Sequence, residues 1–216
     1  MIPIVSFVGK SNVGKTTFLE KVVAELKRRG YRVATLKHDT HGFELDQPGK
    51  DTWRLARAGS DVVLISSPDK VAAIARTDHD LSPDEVEAKL VRDVDILLTE
   101  GYKRGDKPKI EVSRREKGSD LLCQEGEMLA IASDQSFSLN VPQFGLDDAS
   151  GVVDLLVREV IEPSRSRRAE ITVDGRRLPL KPFVAEMFVG GLAGLLAPLR
   201  GTEGAREVTI RLRLRG

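Results

Sequence analysis

The chain has 216 residues, of which 34 are basic and 33 acidic, so its formal net charge is only +1. This length suits one large domain, or one domain with a small addition, and the balanced charge excludes a global field that would attract nucleic acid or an anionic membrane. A single cysteine excludes an intramolecular disulfide and predicts a reducing, cytoplasmic location, and the longest apolar stretches are too short to predict a membrane span.

Short apolar segments alternate with longer stretches of helical period, which predicts an α/β fold with a mainly parallel sheet covered by helices. Strands are predicted at residues 2–8, 31–37, 61–66, 71–76, 95–100, 109–113 and 128–133. Helices are predicted at residues 15–29, 51–58, 82–92 and 147–161. The third helix has strong start signals, because Ser82 at the N-cap is followed by Pro83 and Glu85.

Periodicity stops at residues 162–168, where Pro, Ser and Arg are typical of a linker. We therefore predict a first domain at residues 1–162 and a small C-terminal α+β unit at residues 163–216. The predicted elements of this unit are a hairpin at 171–180 that turns at Asp174-Gly175, a helix at 182–196 and a strand at 208–214. A unit of about 50 residues buries little apolar surface, so we expect it to pack on the first domain or on another chain.

Residues 9–16 match the pattern G-x-x-x-x-G-K-[ST] between a predicted buried strand and a predicted amphipathic helix. In such a loop the backbone N–H groups and the helix dipole attract phosphates, the lysine neutralises the outer phosphates, and the hydroxyl is a ligand for Mg²⁺. The alternative is a glycine-rich turn that binds no ligand. We predict that the first domain is a P-loop domain that binds a nucleoside triphosphate and Mg²⁺. The loop residues assigned to this ligand are Gly9, Asn12, Val13, Gly14, Lys15, Thr16 and Thr17.

A P-loop enzyme needs an acidic residue at the end of a neighbouring strand. Glu100 ends a predicted buried strand, and we expect the N–H of Gly101 near the terminal phosphate; Asp39 follows the second predicted strand. Both carboxylates are predicted to hold Mg²⁺ through water and to orient the attacking water, so that together with Lys15 they form the predicted catalytic set. The alternatives are a solvated strand end for Glu100 and a turn-capping role for Asp39.

His38 and His41 flank Asp39 and raise the question of a zinc site. No cysteine or third histidine lies nearby in the sequence, and Mg²⁺ prefers oxygen ligands. We therefore interpret this segment as a loop that faces a phosphate or a substrate.

Asp134 follows the predicted strand at 128–133, at the edge where ligands bind in open α/β sheets. A carboxylate at this position can accept hydrogen bonds from N1 and N2 of guanine, which adenine cannot supply. Asp134 is therefore the candidate reader of the base. The alternative is a carboxylate that caps a turn or a helix.

Together these segments resemble the MobB-type proteins of molybdenum cofactor biosynthesis, over residues 1 to about 160. The phosphate loop alone is shared by many families, but its combination with the first two of the following blocks is specific. The blocks are Lys37-His38-Asp39-Thr40-His41-Gly42-Phe43-Glu44, Asp46-x-Pro48-Gly49-Lys50-Asp51-Thr52, Ala58-Gly59, Glu100-Gly101-Tyr102-Lys103 and Pro108-Lys109-Ile110-Glu111-Val112.

The resemblance implies a GTP-binding protein with weak, Mg²⁺-dependent GTPase activity, usually a homodimer. It also implies an adaptor role beside the guanylyltransferase that joins GMP to molybdopterin. Asp39 and Glu100 would serve Mg²⁺ and water, and Asp134 would bind guanine. The resemblance makes four residues candidate contacts to an anionic pterin phosphate or to the partner enzyme: Lys50, Asp51, Lys103 and Lys109.

Slow hydrolysis agrees with the lack of a recognisable arginine finger in the motif loops. A different class of function is a P-loop small-molecule kinase whose acceptor is held by Lys50 and Lys103. A third is a scaffold in which nucleotide only locks a dimer. Hydrolysis assays with and without candidate acceptors separate these three alternatives.

Overall fold

The computed structural model describes residues 2–165, 171–173, 176–178, 180–201 and 208–210. The chain divides into two units, Met1–Ser164 and Arg165–Gly216. In the first unit the strands are β1 (Ile4–Val8), β2 (Val33–Lys37), β3 (Val62–Ser66), β4 (Val71–Ala75), β5 (Ile96–Glu100), β6 (Lys109–Ser113), β7 (Met128–Ser133) and β8 (Gln143–Phe144). The α-helices up to residue 165 are α1 (Lys15–Arg28), α2 (Asp51–Arg57), α3 (Pro83–Leu90), α4 (Ala149–Leu156) and α5 (Glu162–Arg165), with a π-helical segment (Val157–Ile161) between the last two.

The central sheet has the order β2-β5-β1-β6-β7-β8, and every pairing in it is parallel. This confirms the predicted α/β fold, and the predicted strands of the first unit begin and end within two residues of the observed ones. The short strand β8 was not predicted, because two residues carry no periodicity. Since all strands run the same way, their carboxyl ends meet at one edge of the sheet.

Helix α1 covers one face of the sheet and packs against α4. Its buried residues, Phe18, Leu19, Val22 and Leu26, recur at helical spacing and join the main core. Burial of each such side chain stabilises the fold by roughly 1.5–3 kcal/mol. Along β1, Val8 alternates with Phe7 and therefore faces the opposite side, where it packs with Cys123, Met128 and Ile131 in a second, smaller core.

Strands β3 and β4 form a separate antiparallel pair instead of joining the main sheet. Only residues 67–70 connect them, which is too short for the crossover that parallel strands require. The Ser67 N–H donates to the Lys70 carbonyl at 2.8 Å and closes the turn. Both segments are strands, as predicted, and they lie outside the parallel sheet.

In the second unit, β9 (Ile171–Val173) pairs in antiparallel fashion with β10 (Arg176–Leu178), and α6 spans Pro182–Leu196 as predicted. The predicted turn at Asp174-Gly175 lies outside the described residues. So does most of the strand predicted at 208–214, and the described part, residues 208–210, is not a strand. The predicted linker begins too early, because the chain stays helical through α5.

Candidate functional site

The loop that joins β1 to α1 has the backbone geometry of a phosphate-binding loop. Gly9, Asn12 and Gly14 have positive φ angles of 147°, 59° and 88°. A Cβ at Gly9 would lie 2.2 Å from the carbonyl oxygen of Val112, so a side chain there cannot fit without moving β6. Gly14 precedes the first residue of α1, which places the helix N-terminus at the end of the loop.

Lys15 reaches back across this loop. Its Nζ donates to the carbonyl oxygen of Lys10 at 2.8 Å and to that of Gly9 at 3.2 Å. The ammonium group is therefore held against backbone carbonyl groups of the loop. Its role in binding phosphates stays a prediction.

The structure brings Thr16 and Glu100 into direct contact. The Thr16 hydroxyl donates to Oε2 of Glu100 at 2.7 Å, although the residues are 84 positions apart. Pairing of β1 with β5 sets this contact, because Phe7 lies opposite Glu100 and the phosphate loop follows directly. A hydroxyl and a carboxylate at the mouth of a phosphate loop are oxygen donors of the kind that Mg²⁺ prefers.

Gly101 does not have the role predicted for it. Its N–H donates to the carbonyl oxygen of Phe7 at 3.1 Å and is committed to the sheet instead of a phosphate. Its φ is 110°, and a Cβ there would lie 3.0 Å from Cβ of His38. Glycine is required at this position by the close approach of the β2 end to the β5 end.

Asp39 is exposed and lies two residues beyond Lys37, the partner of Glu100 in the sheet. Its Oδ1 accepts the N–H of His41 at 2.9 Å, which is the turn-capping role that was the alternative. Among the described contacts none joins Asp39 to Glu100 or Thr16. Only Glu100 of the two predicted acidic residues therefore touches the phosphate loop.

His38 belongs to a network of side-chain contacts at the end of β2. Its Nε2 lies 3.0 Å from Asp80, and its ring stacks on Tyr102 with 4.2 Å between centroids. The Tyr102 hydroxyl in turn donates to the carbonyl oxygen of Leu81 at 3.0 Å. Over the part of the chain that the structure describes, no three His, Cys, Asp or Glu side chains form a metal-binding group.

Asp134 lies at the carboxyl end of β7 on the rim of an open cavity of about 580 Å³. The lining of this cavity includes Lys21, Arg114, Ser133 and Asp147. Oδ1 of Asp134 accepts the N–H of Arg115 at 2.7 Å, and its other carboxylate oxygen has no hydrogen-bond partner among the described residues. One oxygen thus anchors a turn while the carboxylate still faces a cavity of the size that a ligand needs.

Arg114 was not among the predicted site residues. It follows β6 directly, and its Nε donates to the carbonyl oxygen of Val13 at 3.0 Å. Its guanidinium lies 3.4 Å from the position that a Cβ on Gly14 would take. The available signal was its place directly after a predicted strand, at the same edge of the sheet as Asp134.

The first unit matches other proteins of known family. Residues 4–134 match the family model described as molybdopterin guanine dinucleotide synthesis protein B, MobB. The chain belongs to the MobB family.

Two curated relatives and one solved structure agree with this assignment. The molybdopterin-guanine dinucleotide biosynthesis adapter protein of Escherichia coli K12 is 32% identical over 73% of this chain and 93% of its own length. The protein of the same name from Haemophilus influenzae is 31% identical over 72% of this chain and 88% of its own. The crystal structure of Bacillus subtilis MobB superposes with a TM-score of 0.58 at 30% identity, covering 74% of this chain and 98% of that one.

The MobB resemblance suggested four residues as contacts to an anionic pterin phosphate or to the partner enzyme. For Lys109 this prediction was wrong. Lys109 is 2% exposed, and its Nζ donates to Oε1 of Glu127 at 2.9 Å, so it is not available to a ligand. Lys50, Asp51 and Lys103 are exposed, and Asp51 lies 3.7 Å from Arg54 in α2.

Two further residues near Lys109 in β6 and the adjoining loop are structural. The buried carboxylate of Glu111 accepts the N–H groups of Leu122 and Cys123 at 2.7 and 3.0 Å. Burial, together with the nearby charge of Glu111, raises the pKa of the Cys123 thiol to about 12. This thiol is therefore neutral and unreactive at physiological pH.

Helices in the described ranges are all too short or too polar to cross a membrane.

Proposed function

We propose that this MobB-family chain is an adaptor in the synthesis of molybdopterin-guanine dinucleotide that binds GTP with Mg²⁺ and hydrolyses it slowly. The adaptor role is supported by the names of the relatives. The observation that carries nucleotide binding is the 2.7 Å hydrogen bond between Thr16 and Glu100 beside the phosphate loop. It joins the two oxygen donors that a P-loop domain uses to hold Mg²⁺ against phosphates.

The residues at this site fit Mg²⁺, an ion that seldom takes all of its ligands from the protein. Mg²⁺ keeps several waters and is bound through one or two protein oxygens plus phosphate oxygens. Thr16 and Glu100 are such a pair, and when bound the ion would neutralise charge that develops on the phosphates. Lys15 would bind the outer phosphates, and the backbone N–H groups around Gly14 would cradle them.

Guanine is the base that fits Asp134. Its carboxylate can accept from the N1 and N2 positions of guanine while Oδ1 still holds the Arg115 N–H, because a carboxylate oxygen has two lone pairs. Adenine would offer no N–H donor at the corresponding ring position. The cavity beside Asp134 is open to receive the base.

Slow hydrolysis follows from the groups that surround the phosphate loop. Asp39, predicted to orient the attacking water, is engaged in a turn with His41. Nε of Arg114 is engaged with the Val13 carbonyl. Charge that develops in the transition state would therefore be only partly compensated without a partner protein.

We also propose a homodimer and a guanylyltransferase as protein partners, with molybdopterin as a further candidate ligand. The β3–β4 pair leaves Leu64, Ile65 and Val71 exposed by 66%, 58% and 71%. An apolar surface of this kind is typical of a protein interface. The single cysteine is free and buried, which supports a reducing compartment such as the cytoplasm.

The test is reconstitution with a purified guanylyltransferase, molybdopterin and Mg²⁺-GTP, in which formation of the dinucleotide is measured with and without this protein. Wild type should increase product formation, whereas Lys15→Ala should not. Phosphate release by the protein alone should be slow and independent of small-molecule acceptors. Transfer of phosphate to an added acceptor would instead favour the small-molecule kinase. Dimerisation that requires GTP, without any effect on formation of the dinucleotide, would favour the scaffold.

A further inference from the structure

Arg114 lies between the phosphate loop and the cavity beside Asp134. Strand β6 pairs with β1, so the residue after β6 emerges next to the loop that follows β1. Its Nε donates to the Val13 carbonyl at 3.0 Å, and its Nη2 is 3.4 Å from the Cβ position of Gly14. The same side chain also lines the cavity. It therefore contacts the phosphate half of the site and faces the other half.

The neighbouring residue fixes this position. The Arg115 N–H donates to Oδ1 of Asp134 at 2.7 Å, and the Arg115 guanidinium donates to the Asp134 carbonyl at 3.2 Å. The backbone on either side of Arg114 is thus tied to β6 and to the end of β7. A side chain on an anchored backbone is ordered before a ligand arrives, which reduces the entropic cost of binding.

The positive charge of Arg114 has no close carboxylate partner in the described part of the chain, since none of the ion pairs found there includes it. Asp147, across the cavity, has a pKa below its usual range chiefly because of its hydrogen bond to Lys21, with a smaller effect from the charge of Arg114. The guanidinium uses Nε for the hydrogen bond to the loop, and the same side chain is part of the cavity lining. A planar cation of this kind packs well against the face of an aromatic ring.

We propose that Arg114 is a nucleoside-binding residue whose guanidinium packs against the face of the guanine ring while Asp134 binds its edge. This inference rests on the proposed binding of GTP. It assigns a base platform that is separate from the residues that bind phosphate. It also explains why the Arg114 side chain crosses from the loop to the cavity.

The test compares binding of Mg²⁺-GTP with binding of Mg²⁺-tripolyphosphate, which has the phosphates without the nucleoside. Calorimetry gives the GTP affinity, and displacement of a fluorescent GTP analogue gives that of tripolyphosphate. The variants are Arg114→Lys, which keeps the charge but loses the plane, and Arg114→Gln, which loses both. Arg158→Gln is the matched control, because Arg158 is exposed and pairs with its neighbour Glu159. Melting temperatures are recorded for the wild type and for every variant.

Both Arg114 variants should weaken GTP about tenfold and leave tripolyphosphate within about twofold, because stacking of a cation on a ring contributes roughly this factor. An equal loss for both ligands that Arg114→Lys restores would overturn the proposal in favour of a phosphate contact. An equal loss of affinity for both ligands together with a lowered melting temperature would show that Arg114 only supports the loop. Unchanged GTP affinity in both variants would refute this inference alone, whereas a wild type that binds no GTP would refute the proposed function itself.

Discussion

The phosphate loop and the cavity beside Asp134 are built in different ways, although both belong to one proposed nucleotide site. The loop, residues 9–16, is one continuous segment, and it meets Glu100 through a hydrogen bond of 2.7 Å. The cavity is assembled from the ends of β6 and β7 and from α1, where Lys21 and Asp147 meet across 126 positions of sequence. The phosphate half is thus recognisable from a motif, whereas the base half depends on how the sheet is ordered.

This difference predicts separable effects of substitution in the two halves. Changes in the loop should weaken every nucleoside triphosphate alike. Changes at the cavity should alter the preference between bases. The substitutions that follow are ordered by the size of the effect expected.

Lys15→Ala should have the largest effect and lower the affinity for both GTP and ATP by about 100-fold, because hydrogen bonds from a charged donor to phosphate are the strong ones. Calorimetry measures the loss. Lys27→Ala is the control, since Lys27 is an exposed lysine in the last turn of the same helix. Retention of GTP affinity in Lys15→Ala would show that the loop does not bind the phosphates.

Glu100→Gln should reduce Mg²⁺-dependent phosphate release at least about tenfold while the fold is retained, because the amide oxygen still accepts from Thr16 but carries no charge for the ion. The rate is followed as Mg²⁺ is titrated, and the variant should need more of the ion. Glu20→Gln, on the exposed side of α1, provides the comparison. An unaltered Mg²⁺ requirement would remove Glu100 from the metal site.

Asp134→Asn should lower the ratio of GTP affinity to ATP affinity by about tenfold, because an amide presents a donor where guanine also has a donor. Its carbonyl oxygen can still accept the Arg115 N–H, so the turn is preserved. The two affinities are measured on the same preparation. If the ratio stays the same, the base is not read at this end of β7.

Tyr102→Phe should have the smallest effect, with the free energy of unfolding reduced by about 1 kcal/mol and GTP binding nearly unchanged. The substitution removes only the hydroxyl that donates to the Leu81 carbonyl, and it keeps the ring that stacks on His38. Urea denaturation gives the stability. A loss of GTP affinity without a loss of stability would show that this network acts on the nucleotide site.

The same contrast explains what the sequence could predict. The loop and the position of Glu100 at a strand end were accessible, because each is a local pattern. The burial of Lys109 could not be predicted, since the alternation Lys-Ile-Glu-Val-Ser in β6 suggests a strand with one face exposed to solvent. In the sheet β6 lies between β1 and β7, and all five of its residues are buried.

Contacts between distant segments were also beyond local patterns. His38 and Asp80 are 42 positions apart, and no local pattern indicates that they pair. Arg114 contacts Val13 across 101 positions. Such pairs depend on the order of strands in the sheet, which periodicity does not reveal.

The most direct test is a crystal structure of the protein with a non-hydrolysable GTP analogue and Mn²⁺, in which anomalous scattering locates the ion. We predict an ion bound to the Thr16 hydroxyl and held directly or through water by Glu100, with the guanine edge at Asp134 and its face on Arg114. A base bound elsewhere, or an ion that contacts neither Thr16 nor Glu100, would contradict the claim that one nucleotide spans both halves of the site.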